Sequence, residues 1–243
     1  MTNALADALR DIGRPQDRPR LAAFTALLLE RGAQLNLTAA RHPAAVAAHI
    51  ADSLTLLRHI RDPFVDIGSG GGFPAIPLAL ASGYRVTLVE ATLKKAQFLR
   101  EVAVALDLPV TVIAERAEIA GRRPDLRDRF ASATARAVAS APAVLELTLP
   151  FLAPNGMAVL PRGELGDAER RATADAALVL NGELSGEIEL DGRRRILLVT
   201  KRGPTPSRFP RRAGVPEKRP LCFASAAARR GDVKRDGGRT APL

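Results

Sequence analysis

The sequence predicts an α/β fold, a mostly parallel sheet wrapped by helices on both faces, with a small helical lobe ahead of it. Three observations carry this expectation. Short apolar, strand-like runs alternate with helical stretches from Phe64 onward, the first run ends in the glycine cluster Gly68-Ser69-Gly70-Gly71-Gly72, and the residues before Asp62-Pro63 show helical spacing alone.

Residues 20–35 put Leu21, Phe24, Leu27 and Leu28 on one face, and a second apolar group spans 44–57, so residues 1–60 read as an N-terminal helical lobe. Residues 64–67 form the first strand, and a helix starts at Phe73-Pro74, where proline is tolerated in the first turn. A second strand (85–89), a helix (94–105), a third strand (110–113) and a fourth (130–135) follow. The rest reads as a helix over 141–151, a strand over 157–160, a helix over 164–179 and two closing strands around the hairpin signal Asp191-Gly192. The final hairpin adds an antiparallel edge to the parallel sheet. The predicted core is 61–203, followed by a basic, proline-rich segment (204–223) and a tail (224–243) whose composition predicts disorder.

At 243 residues, 47% hydrophobic and 26% charged, the chain has enough apolar content to bury a sizeable core, which excludes disorder along its whole length. Its longest apolar run, about eight residues from Pro74, is far below the roughly 20 that a bilayer crossing needs. The first 20 residues lack the apolar stretch of a secretion signal, and the single cysteine, Cys222, permits no internal disulfide, so a cytoplasmic location is expected. Charge is unevenly placed. Residues 1–200 hold 24 basic and 23 acidic residues, whereas residues 201–243 hold 12 and 3, giving the net +10 almost entirely to the C-terminal segment. Its cations recur among Pro and Gly, from Lys201-Arg202 to Lys234-Arg235, which predicts an extended or loosely ordered strip suited to phosphate backbones.

In an open parallel sheet the ligand sits at the carboxyl ends of the strands, beside the first one. Gly68 and Gly70 can take positive φ and let the backbone approach a ligand, although a plain tight turn would look the same. Glu90 follows at the end of the second strand, 22 residues after Gly68, where a carboxylate can accept both hydroxyls of a ribose. Dinucleotide and S-adenosylmethionine sites share this plan. Three positions beyond Gly70 a pyrophosphate loop requires glycine or alanine, and this chain has Phe73, so S-adenosylmethionine is favoured. Ala117-Glu118, past the third strand, would then flank the adenine; an exposed carboxylate at a helix start is an equal reading of Glu118.

Several motifs together resemble the RsmG (GidB) family: Asn36-Leu37-Thr38, His49-Ile50-x-Asp52-Ser53-Leu54, Asp66 to Pro74, Glu90-Ala91-Thr92-x-Lys94-Lys95, Arg116-Ala117-Glu118, Ala135 to Ala139, and Phe209-Pro210-Arg211-Arg212-x-Gly214-x-Pro216. The resemblance spans about residues 20–221. It implies a Rossmann-like, class I S-adenosylmethionine-dependent methyltransferase with a seven-stranded sheet, methylating guanine N7 in 16S ribosomal RNA. It also implies donor contacts at Gly68, Phe73, Glu90, Ala91, Thr92, Ala117, Glu118 and Arg136. Two features depart from the family: Leu160-Pro161-Arg162-Gly163 replaces the usual Met-Lys-Gly, and the segment after Phe223 has no counterpart.

The chemistry agrees with the residues. Guanine N7 carries a lone pair and no proton, so its methylation needs alignment and exclusion of water and no general base. His42, His49 and His59 form no nucleophile or metal constellation, and His49 reads first as a packing residue aligned with Asp52. The sole thiol, Cys222, sits beside the tail expected to be disordered, against a covalent pyrimidine mechanism, and Arg136-Ala137-Val138-Ala139 stands where amine methylation would use an Asn/Asp-Pro-Pro-aromatic loop. Arg136 could face both donor and base, with Arg162 and Lys94-Lys95 extending a basic rim toward an RNA grip over 208–219. With aromatic residues at 4%, recognition should rest on phosphate contacts and shape. The expected partner is 16S rRNA or the small ribosomal subunit, with no metal, no membrane and a monomeric chain. A small-molecule methyltransferase on the same fold and a non-catalytic ribosome-binding protein are the alternatives.

Overall fold

The computed structural model describes residues 7–35 and 37–221, so Asn36, Cys222 and the 224–243 tail lie outside the described residues. Seven strands form one sheet in the order β3-β2-β1-β4-β5-β7-β6: β1 (Phe64–Ile67), β2 (Val86–Val89), β3 (Val110–Ile113), β4 (Phe130–Ala135), β5 (Leu152–Gly163), β6 (Gly182–Asp191) and β7 (Arg194–Lys201). The first five are parallel, and β7 runs antiparallel between β5 and β6. The order reverses beside β1, which opens a crevice at the carboxyl ends of β1 and β4. All four β1 residues are buried, as expected of a strand covered on both faces.

The helices are α1 (Arg18–Leu35), α2 (Pro43–Leu54), α3 (Ala75–Ser82), α4 (Leu93–Ala105), α5 (Ala117–Ala120), α6 (Ala141–Thr148), α7 (Asp167–Val179) and α8 (Val215–Lys218). The apolar stripe predicted on α1 is used as expected. Leu21, Phe24 and Leu28 are fully buried in the same core as Ile50 of α2, Ile76 of α3 and Leu99 of α4.

Several boundaries differ from the sequence expectation for identifiable reasons. The helix expected to reach residue 57 stops at Leu54 and resumes as a 3₁₀ turn at Leu57–His59, and the helix expected to reach 151 ends in the 3₁₀ turn Leu149–Phe151 around Pro150. The strand expected at 157–160 is the 12-residue β5, because Pro154-Asn155-Gly156, which reads as a turn, is taken up as a bulge where the pairing with β4 shifts register. Residues 202–221 are not loosely ordered as expected; they include α8 and bury Phe209 and Leu221 in the second core. Lys201, counted as part of the basic strip, has no exposed surface: its ammonium pairs with Asp128 and donates to the Leu149 carbonyl at 3.0 Å, and burial pushes its pKa down.

Gly72 fixes how α3 leaves the loop. Its φ is +92°, and a Cβ there would sit 2.7 Å from Ile76 Cγ1. Gly72→Ala is therefore expected to cost roughly 1–3 kcal/mol through overpacking and backbone strain, measurable as a lower midpoint in chemical denaturation.

Candidate functional site

β1 delivers the chain into a loop of glycines with distinct jobs. Gly68 (φ +70°) packs under Val138, where a Cβ would come within 2.8 Å of Cγ2, and a Cβ on Gly71 would meet the Leu37 carbonyl at 2.8 Å. A Cβ on Gly70 (φ +53°) would make ordinary contacts with the Gly68 carbonyl at 3.8 Å and the Leu37 carbonyl at 4.0 Å, so the positive φ and not crowding favours glycine there. Glu90, 7% exposed at the end of β2, closes this loop: Oε2 accepts from the Gly70 amide at 2.9 Å and Oε1 from the Thr92 amide at 2.8 Å. Each oxygen keeps a second lone pair, so the carboxylate stays able to accept two hydroxyls.

Asp66, within β1, is a functional candidate that its motif, Asp66 to Pro74, contains without marking out. It has no exposed surface; Oδ1 accepts from the Thr134 hydroxyl at 2.7 Å, and Oδ2 has no hydrogen-bond partner. Burial drives its pKa from 3.8 up to about 7, against the lowering pull of the Thr134 and Ser69 hydroxyls. The available signal was an acid in an otherwise apolar strand of four.

Phe73 and Arg136 come together. The Phe73 ring packs against Phe24 (centroids 5.3 Å apart) and His49 (5.5 Å), and the Arg136 guanidinium lies 5.0 Å from its centroid. Asp52 holds Arg136 from behind at 3.6 Å and Arg194 of β7 at 3.0 Å. His49 is thus a packing residue, as expected; burial and the neighbouring Arg136 lower its pKa, leaving a neutral ring at pH 7. Ala137 then takes φ +54°, costing about 1 kcal/mol for a residue with a Cβ, and this turn sends Arg136 toward Asp52 while Val138 covers Gly68.

Gly68, Glu90, Ala91, Ala117 and Glu118, five of the eight expected contacts, line one cavity of about 120 Å³, and Thr92 joins through its amide bond to Glu90. Glu118 is not an exposed carboxylate at a helix start. It is 5% exposed, and Oε1 accepts from Arg116 Nη2 at 3.0 Å and from the Gly214 amide at 2.6 Å. A second cavity of about 370 Å³ is lined by Arg136 itself, with Asp52, Pro161, Arg162, Leu165 and Arg194. Arg162 is not free to form a rim as expected: it donates to the Ala139 carbonyl at 2.7 Å and to Glu169 at 3.3 Å, holding the β4 loop in place. Lys94 remains exposed.

The strand order, the antiparallel β7, and a glycine loop stitched to an acid at the end of β2 define a class I S-adenosylmethionine-dependent methyltransferase. A solved O-methyltransferase from Bacillus cereus in complex with SAH shares the fold, with a TM-score of 0.55 at 19% identity over 82% of this chain and 97% of that one. The family model described as rRNA small subunit methyltransferase G matches residues 17–196, and the chain belongs to that family. It is 41% identical over 219 residues to the Deinococcus deserti protein named ribosomal RNA small subunit methyltransferase G, covering 85% of this chain and 89% of that one. The Chloroflexus aggregans protein of the same name is 43% identical over 198 residues, 77% and 83% of the two chains.

Proposed function

We propose that this chain methylates N7 of a guanine in 16S rRNA, acting as a monomer in the cytoplasm, with the eight residues named from the sequence serving the methyl donor. The observation that carries the reading is the convergence of Gly68, Glu90, Ala91, Ala117 and Glu118 on one cavity at the carboxyl end of β1, inside the stretch that matches the family. These residues suit S-adenosylmethionine. Glu90 keeps acceptors for a diol, and the orphaned, buried Asp66 Oδ2 suits a cationic ligand. When bound, the donor supplies an electrophilic methyl on a sulfonium.

The protein has little proton chemistry to perform, because the N7 lone pair is available without deprotonation. Arg136, pinned by Phe73 and Asp52, lines the larger cavity, able to donate to guanine O6 or a phosphate. This larger cavity suits the incoming base. Phosphate contacts fall to exposed cations such as Lys94, Arg208, Arg212 and Lys218, so RNA affinity should fall steeply with salt.

The direct test is mass spectrometry of small-subunit RNA from cells lacking the protein: one 7-methylguanosine should vanish and return on complementation. The Arg136→Ala variant is expected to lower kcat at least tenfold and to weaken donor binding as well, measured with purified subunits and by calorimetry. Retention of the modified nucleoside in the deletion strain would overturn the assignment.

A further inference from the structure

The chain beyond β7 is strapped to the connection between α5 and β4 by bonds that consume its backbone acceptors. Arg127 donates to the carbonyls of Thr205 at 2.6 Å and Phe209 at 3.0 Å, and Arg122 to those of Ser207 at 3.2 Å and Pro210 at 2.6 Å. Next, Arg211 reaches Glu146, a carboxylate on α6 with no exposed surface. Glu146 accepts from the Arg211 backbone amide at 2.7 Å, from Nε at 2.9 Å and from Nη2 at 2.6 Å. Three residues later the Gly214 amide is held by Glu118, and Gly214, at φ +78°, turns the chain into α8. That turn brings Glu217 to the cavity lined by Glu90, Ala91 and Ala117.

A buried ion pair is a weak way to gain stability, since an apolar pair of similar size often holds as well. What the Arg211–Glu146 pair supplies is register, because a guanidinium fork and a carboxylate fit in few geometries. Glu118, the acid expected at the adenine, has Oε1 committed to Arg116 and Gly214. Of the other carboxylates lining this cavity, Glu90 is bonded to the Gly70 and Thr92 amides and Glu115 to Arg123 at 3.0 Å, whereas Glu217 is solvent-exposed.

We infer that the strap, residues 205–221, is the outer wall of the adenine compartment: Glu217 accepts from the exocyclic amine of adenine, and Arg211 with Glu146 is a positioning pair that sets where Glu217 stands. This rests on the S-adenosylmethionine reading above, and it reassigns the Arg211 part of the basic segment from gripping RNA to holding the donor. An adenine presents an NH₂ donor where hypoxanthine presents an oxygen, so a carboxylate at that position selects adenine and repels a 6-oxo purine.

The test uses the full chain and calorimetric binding of two probes, S-adenosylhomocysteine and S-inosylhomocysteine, to wild type, Glu217→Gln, Arg211→Met and Arg211→Lys. Wild type should prefer the adenine compound. Glu217→Gln should cut that preference at least fivefold, since an amide can donate to the 6-oxo group. Arg211→Met should do the same, with partial recovery in Arg211→Lys. If Arg211→Met fails to fold, the surface variant Glu217→Gln decides alone. An unchanged preference in Glu217→Gln, or loss of RNA affinity with unchanged preference in Arg211→Met, overturns the inference. A wild-type protein that binds neither compound overturns the donor reading itself.

Discussion

Replacing Glu90 with alanine is expected to raise the dissociation constant for S-adenosylmethionine about a hundredfold. The carboxylate has two tasks. It offers acceptors to a diol, and it already ties the Gly70 and Thr92 amides together across the mouth of the site, at 2.9 and 2.8 Å. Hydrogen bonds to a charged group contribute about 1.5–3 kcal/mol each, and about 2.7 kcal/mol corresponds to a factor of a hundred. Alanine removes both tasks, and the freed amides let the glycine loop drift. Glutamine preserves the length and one acceptor oxygen while placing an NH₂ against one of the amides, so an intermediate loss of about tenfold is expected. Titration calorimetry on both variants checks this ordering. A dissociation constant equal to that of wild type in Glu90→Ala would remove Glu90 from the site.

The second large effect concerns Asp66 and pH. Its carboxyl titrates at about 7 in the fold against 3.8 outside it, because burial opposes the charge. Between about pH 4 and 7 the folded state therefore holds a proton that the unfolded chain has lost. Stability falls as pH rises through that window and levels off above it. The displacement is equivalent to about 4 kcal/mol. Asp66→Asn has no such titration, so urea denaturation at pH 5 and pH 8, an interval that spans about two pH units below the folded value, should show wild type losing about 2.7 kcal/mol more than the variant. Parallel pH dependence in the two proteins would refute the assignment. A cationic donor favours the ionised carboxylate, so donor affinity of wild type should rise with pH through 7, and that rise should be absent in Asp66→Asn.

Much of this architecture is legible from local pattern. The four buried residues of β1, the positive φ of Gly68 and Gly70, and the position of Glu90 at the end of β2 all follow from constraints acting within a few residues of chain. The bulge in β5 was not legible, because Pro154-Asn155-Gly156 makes a turn or a bulge depending on whether a neighbouring strand is there to pair. The importance of Asp66 was equally hidden: a carboxylate becomes unusual only when the surrounding sheet withholds both water and a partner from one of its oxygens.

The amino-acid order by itself determined the α/β alternation, the glycine turn, the acid that closes it and the bulky ring at Phe73, since each depends on periodicity or on backbone freedom that neighbouring residues set. Only the tertiary structure decided which charges are available. Lys201 is spent on Asp128, Arg162 on the Ala139 carbonyl, Arg211 on Glu146 and Glu118 on the Gly214 amide. These partners are separated by 23 to 96 residues of chain. A charged side chain is neutralised or left free by whatever the fold carries to within a few ångströms of it, and no local pattern records that.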